Sequence, residues 1–233
     1  MDHGKPIIYV KNVRKVYRMG DEEVVALKRI NLRIYKGEVC CIFGTSGSGK
    51  STLLNQLAGM EKPTKGQVFI RGKNISDMNE EELAAFRQEH MSFIFQSYNL
   101  LPSMTAVENV AMPLMFKGMD RKSGWVMAEE MLKRVGLSHR LHHYPSQMSG
   151  GQQQRAGIAR AFVSRPEVVF ADEPTGNLDT KTTAEIMDMV MGFARRFNQT
   201  IILVTHDPGM SRYADRIVTL VDGIITGDER KGQ

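Results

Sequence analysis

The sequence predicts an α/β fold: a mixed sheet, an antiparallel β-subdomain toward the N terminus and an inserted helical subdomain. Three observations lead there. The runs "VCCIF" (39–43), "VVFA" (168–171) and "TIILVT" (200–205) are short and continuously apolar, as strands covered on both faces are, and are expected to lie parallel and adjacent. In "NLRIY", by contrast, Leu32 and Ile34 alternate with Asn31, Arg33 and Tyr35, the pattern of a half-buried antiparallel strand. Between 97 and 162 no strand pattern occurs, only helical signals.

At 233 residues the chain suits one domain with an insertion, with 1–96 and 163–233 as its core and 97–162 as the helical part. No segment is biased enough in composition to be disordered, so order is expected almost throughout. The longest apolar run, Val110 to Phe116, is interrupted by Pro113 and is far shorter than the roughly 20 residues of a membrane span. The start, "MDHGKP", lacks the apolar core of a signal peptide, so the chain is expected to stay where it is made. Cys40 and Cys41 read as buried strand residues, because a metal or redox pair lacks companions. Thirty-one basic against 26 acidic residues give +5, a mild excess that suits an anionic ligand, an acidic partner or lipid headgroups. The basic residues are scattered, and no specific nucleic-acid partner is expected.

The first chemical motif follows the run 39–43. Gly44-Thr45-Ser46-Gly47-Ser48-Gly49-Lys50-Ser51 matches GxxxxGK[ST], a P-loop, and opens a helix expected to end near Gly59. Its glycines let backbone N–H groups face phosphate oxygens, the helix N-terminus adds favourable partial charge, and Lys50 adds a formal one. Ser51 is placed to ligate Mg²⁺. The core is thus expected to be that of a P-loop NTPase. Farther along, the run 168–171 ends in Asp172-Glu173, two acids that are costly at the tip of an apolar strand unless a cation or water network uses them. Asp172 is assigned to the magnesium shell and Glu173 to polarising the attacking water as general base. His206, after the run 200–205, would approach the γ-phosphate if that strand lies beside the other two. His139, His142 and His143 lack the companions of a metal site and read as an exposed helix end or loop.

The helical signals include a capping box at Thr105 and Glu108, and Ile186, Val190, Phe193 and Phe197 along one face of a later helix. "VDGII" places Asp222-Gly223 between two β-rich runs, a type I′ hairpin signal, and the closing "DERKGQ" reads as a solvated tail. A second glycine turn, Ser149-Gly150-Gly151-Gln152 in "MSGGQQQR", fits an N-cap and capping box whose helix stops at Arg165-Pro166. Two glycines give up helix propensity there, which makes sense if a ligand approaches the backbone. One P-loop already surrounds its own nucleotide, so this turn is expected to serve the ATP of a second copy. Two chains about a two-fold axis would then sandwich two ATP.

With these motifs in this order, the chain resembles the nucleotide-binding subunit of ATP-binding cassette (ABC) transporters over nearly its whole length. The resemblance implies an ABC ATPase fold and the hydrolysis of ATP with Mg²⁺. Tyr17 is implied to stack on adenine, Thr52 to join the P-loop contacts, Gln96 to link magnesium to the helical subdomain, and "MSGGQ" to be the signature. "NLD", with Asp179, is implied to touch the opposite subunit at its nucleotide, and His206 to be the switch histidine. Met148 departs from the pattern, where Leu is common. The segments "YRMGDEEVVALKRINL", "FQSYNLLPSMTAVENVAMPL" and "ADEPTGNLD" look most like the branch with macrolide exporters, lipoprotein-releasing complexes, antimicrobial-peptide resistance transporters and the cell-division ABC protein. That implies a bacterial homodimer, peripheral on the cytoplasmic face of the membrane through a separate integral-membrane permease. Both a transporter and a mechanical relay controlling a cell-wall process fit this branch. ABC ATPases acting on DNA carry a long coiled-coil insertion, and the ribosomal type generally joins two cassettes; the sequence has neither.

Overall fold

In the computed structural model, which describes residues 4–231, the alternating N-terminal sequence becomes a long antiparallel pair. Strands β1 (Ile8–Met19) and β2 (Glu22–Ile34) set Val10 against Leu32 and Val13 against Ile30, all buried, so the alternation at Leu32 and Ile34 is as expected. Each side chain removed from water in this way is worth ~1.5–3 kcal/mol. Between Val10 and Val13 the register slips; Asn12 takes φ 50° there and its N–H donates to Asn31 Oδ1 at 2.9 Å, as in a β-bulge.

β3 (Val39–Phe43) follows, and Val39, Cys40, Cys41 and Ile42 are all buried. Burial pushes the Cys41 thiol up to about 11 and raises Cys40 too, so neither is a ready nucleophile or ligand. Helix α1 (Lys50–Leu57) ends before Gly59, as expected, and Gly59 has φ 61°. β4 (Lys65–Ile70) joins the free edge of β1 antiparallel, the two-residue β5 (Lys73–Asn74) joins β4, and α2 (Glu80–His90) comes next.

Within α2 the chain passes from one compact unit, which holds the residues up to Arg87 and those from Thr200 on, into a second, Gln88–Gln199. β6 (Met91–Phe95) is the first strand of this second unit, and no local sequence signal marks it. Helices α3 (Ala106–Phe116), α4 (Arg121–Arg134) and α5 (Gly150–Val163) pack on one another. Thr105 caps α3 through the expected box with Glu108, and Pro113 lies inside that helix without ending it. β7 (Val168–Asp172) runs parallel to β6, and α6 (Thr180–Phe197) buries Ile186, Val190 and Phe193 along one face. Phe197 continues that face half-buried, its ring 6.1 Å from that of Phe193.

β8 (Thr200–Thr205), β9 (Arg216–Val221) and β10 (Ile224–Arg230) belong to the first unit. The order there is β10-β9-β3-β8, with β3 parallel to both neighbours and β10 antiparallel to β9, a mixed sheet. Asp222 and Gly223 have φ 47° and 73°, the signs a type I′ turn needs. The tail reading is corrected for Asp228, Glu229 and Arg230, which form the end of β10. Arg216 explains the difference: its guanidinium, almost buried, grips Asp228 with two hydrogen bonds of 2.5 and 2.6 Å and donates to Arg33 O at 2.7 Å. Residues 1–3 and 232–233, parts of the start and tail discussed above, lie outside the described residues. No helix among the described residues is long and apolar enough to cross a membrane.

Candidate nucleotide-binding site

In the first unit Phe43, the last residue of β3, stands opposite Thr205, the last of β8, in parallel register. Gly44 and His206 therefore leave the sheet at one end and at one level. Gly47 and Gly49 have φ 80° and 99°, and a Cβ on Gly49 would lie 2.7 Å from Ala26 O. Glycine is required at that contact. Gly49 is the N-cap of α1 and no side chain caps the helix, so the first-turn N–H groups at Lys50, Ser51 and Thr52 remain available to an anion. Thr45, Ser46 and Gly47 are exposed, whereas Lys50 is mostly buried and its Nζ donates to Thr45 O at 2.8 Å across the loop. Beneath them Ser48 Oγ is buried without a hydrogen-bond partner. The floor is braced by the β9–β10 turn: Gly223 N donates to Ser48 O, and Lys28 N to Gly223 O, both at 3.0 Å. An uncapped helix start, a glycine loop, a lysine and an unsatisfied hydroxyl fit a polyphosphate. Tyr17, half-buried on β1, is linked to the same helix through Glu61, whose carboxylate accepts from Tyr17 Oη at 2.7 Å and from Asn55 Nδ2 at 2.9 Å.

In the second unit Phe95 stands opposite Asp172 in the parallel pair, so Gln96 and Glu173 emerge side by side from β6 and β7. Asp172 and Glu173 are half-buried. Glu173 has φ 43°, a left-handed conformation that costs a non-glycine residue ~1–3 kcal/mol and is concentrated at functional sites. Gln96 is exposed; its carbonyl accepts from Asn177 Nδ2 at 3.1 Å, and its amide nitrogen would lie 2.6 Å from a Cβ on Gly176. Asp179 caps α6, accepting from Lys181 N, Thr182 N and Thr182 Oγ1. The bonds from Thr182 and then Lys181 hold its carboxyl below the usual range.

Ser149 caps α5 as expected: its Oγ accepts from Gln152 N at 3.3 Å, and Gln152 Oε1 accepts from Ser149 N at 3.1 Å. A Cβ on Gly150 would sit 2.8 Å from Tyr98 Oη, and one on Gly151 3.3 Å from Thr182 Cγ2, so side chains of the same unit also pack closely on this turn. Met148 is buried, as an apolar side chain in the usual position of Leu should be.

Three residues unmarked by the sequence reading hold these segments. Asn109, fully buried, accepts from Leu101 N at 2.7 Å and donates to the carbonyls of Leu101, Met104 and Thr105. Gln154, also buried, donates to Pro174 O directly after Glu173. Arg160 donates to Tyr98 O at 2.9 Å and Asn99 O at 2.5 Å, fixing two consecutive residues with φ 62° and 47°. Their signal is a polar residue at an apolar helix position, which pattern reading treats as noise. Replacing Arg160 by Met is expected to leave both carbonyls unpaired and to cost about 2–4 kcal/mol in a denaturant melt.

His139 and His142 are exposed in the loop after α4, and His143 Nε2 lies 2.8 Å from Arg140 Nη1. No group of three or more His, Cys, Asp or Glu among the described residues could hold a metal ion.

Lys50, Ser51, Thr52, Tyr17 and His206 belong to the first unit, and Gln96, Ser149, Asp172, Glu173 and Asp179 to the second. A P-loop on a mixed α/β sheet, joined to a helical region, defines a nucleotide-binding protein of the P-loop class. The family model described as ABC transporter matches residues 27–176. An uncharacterized ABC transporter ATP-binding protein of Methanocaldococcus jannaschii is 48% identical over 219 residues, covering 94% of this chain and 97% of its own. The macrolide export ATP-binding/permease protein MacB of Shewanella oneidensis is 46% identical over 97% of this chain, which spans only 34% of that longer protein. Among solved structures, the ATP-binding cassette MJ0796, dimeric in a post-hydrolysis state with ADP and Pi, aligns with TM-score 0.89 and 42% identity over 96% of this chain and 98% of its own. The chain belongs to the ABC transporter family, as an ATP-binding subunit with ATPase activity.

Proposed function

We propose that two copies of the chain close around two ATP molecules, each nucleotide held by the P-loop of one copy and the signature turn of the other. The observation that carries this is the presence of two separate helix starts suited to phosphate, Gly49-Lys50 and Ser149-Gly150, in a chain whose solved neighbours are dimers. In this reading Gly44, Thr45, Ser46, Gly47, Ser48, Gly49 and Thr52 bind phosphate through the loop and helix start, Lys50 neutralises its charge, and Tyr17 takes the base. Ser149, Gly150, Gly151 and Gln152 meet the partner's nucleotide, with Asp179 beside it. Glu173 takes a proton from the attacking water and His206 contacts the γ-phosphate. A magnesium ion held by Ser51, Gln96 and Asp172 would supply charge neutralisation at the transferring phosphoryl group.

The work is done on a separate integral-membrane permease, which places the chain at the cytoplasmic face of the membrane. The macrolide-export relatives support efflux of macrolides as the transported class; efflux of antimicrobial peptides and lipoprotein release rest on the sequence resemblance. The test is the ATPase rate per chain as the chain is diluted: it should fall as dimers dissociate, and rise again on addition of the permease that co-purifies. A rate per chain that stays constant for a monomer, established by light scattering, rejects the shared site.

A further inference from the structure

Glu61 lies in the loop between α1 and β4 and gathers three elements on one carboxylate. Its Oε2 accepts from Tyr17 Oη at 2.7 Å and pairs with Lys15 Nζ at 3.0 Å; its Oε1 accepts from Asn55 Nδ2 at 2.9 Å. Lys15 and Tyr17 are two apart on β1, hence on one face of the strand, and Asn55 lies one turn beyond Ser51 on α1. The Lys15 ammonium also donates to Lys62 O at 2.9 Å and sits over the Tyr17 ring, 5.1 Å from its centroid. The pair is shielded, with side-chain exposures of 15% for Lys15 and 30% for Glu61. Burial tends to raise the Glu61 carboxyl, but the bonds from Tyr17, Lys15 and Asn55 prevail and hold it below the usual carboxylate range. Burial and then the Glu61 charge push the Tyr17 phenol up, so it remains a protonated donor.

We propose that Glu61 is a positioning residue for the nucleotide base: it locks the Tyr17 ring through the hydroxyl and holds the Lys15 ammonium over one face, leaving the opposite face for the purine. The inference rests on the reading of Tyr17 as the base platform. Asn55 supports that reading, because its bond to Glu61 ties the carboxylate that holds the Tyr17 hydroxyl to the helix that opens at the P-loop. A ring already fixed loses little side-chain freedom when a base stacks on it, and affinity rises accordingly.

The test compares ATP with inorganic triphosphate, which has the phosphates and no base, by titrating each against the full chain. Glu61→Ala is expected to raise the Kd for ATP about 3- to 10-fold and to leave that for triphosphate within about twofold. In ATPase assays the KM for ATP should rise by a similar factor with little change in kcat. Tyr17→Phe, which deletes only the hydroxyl link and keeps the ring, should shift ATP the same way, and adding Glu61→Ala to it should cost less than in the parent. Unchanged ATP affinity in both variants, or equal weakening of ATP and triphosphate, overturns the proposal. Tyr17→Ala separates the two layers. If it weakens ATP while Glu61→Ala and Tyr17→Phe do not, only the role of Glu61 fails; if it too leaves ATP unchanged, the base platform fails with it.

Discussion

Glu173→Gln is expected to lower ATP turnover by roughly 10²–10⁴-fold while ATP binding persists. The carboxylate and the amide have nearly the same shape, so the turn after β7 can keep its conformation, with Gln154 still bonded to Pro174 O. What is lost is the ability to take a proton from water. With the γ-phosphate retained, the ATP-bound pair of chains should also last longer, visible as a dimer in size-exclusion chromatography with Mg-ATP. The left-handed backbone at Glu173 sharpens the expectation, since a strained residue persists only where its surroundings dictate its direction. Near-normal hydrolysis in this variant removes Glu173 from the role of base.

Ser149→Arg should abolish most ATPase activity while nucleotide still binds. Loss of the Ser149 cap costs helix α5 about 1 kcal/mol, too little to unfold the chain. The larger effect is a long cation in the turn proposed to meet the partner's nucleotide. A mixing experiment isolates it. Lys50→Ala damages the P-loop and keeps the signature, whereas Ser149→Arg damages the signature and keeps the P-loop. A mixed dimer of the two then contains one intact chamber, from the P-loop of the Ser149→Arg chain and the signature of the other. Recovery of activity on mixing two nearly inactive proteins is the expected result. Absence of recovery, with mixed dimers demonstrated, sinks the shared arrangement.

The strands "VCCIF", "VVFA" and "TIILVT" were legible because burial on both faces demands an unbroken apolar run, and the β9–β10 hairpin because Asp222-Gly223 tolerates positive φ at both positions. β6 escaped because "MSFIF" follows α2 without Gly or Pro between them, so no local signal marks the change from helix to strand. The end of β10 escaped for another reason. Asp228 and Arg230 look like tail residues until Arg216, on the neighbouring strand of the hairpin, provides a buried partner for the first. For the site, chemistry dictated by local spacing was readable, as in the P-loop and the Ser149 capping box. Its support was not. Asn109, Gln154 and Arg160 act on backbone carbonyls whose positions only the folded chain defines. The glycines at 150 and 151 carry a second meaning that spacing does not reveal, since Tyr98 and Thr182 pack closely on them.

The brace at Gly223 has a practical bearing on how the protein is handled. A two-residue hairpin tip is the usual choice for grafting an epitope or a fluorophore, because such tips normally tolerate insertion. Here the tip shares hydrogen bonds with Ser48 and Lys28, and even a methyl group at Gly223 would be 2.5 Å from Ala26 O. A probe inserted at that corner would report on nucleotide chiefly by disturbing the pocket it was meant to watch.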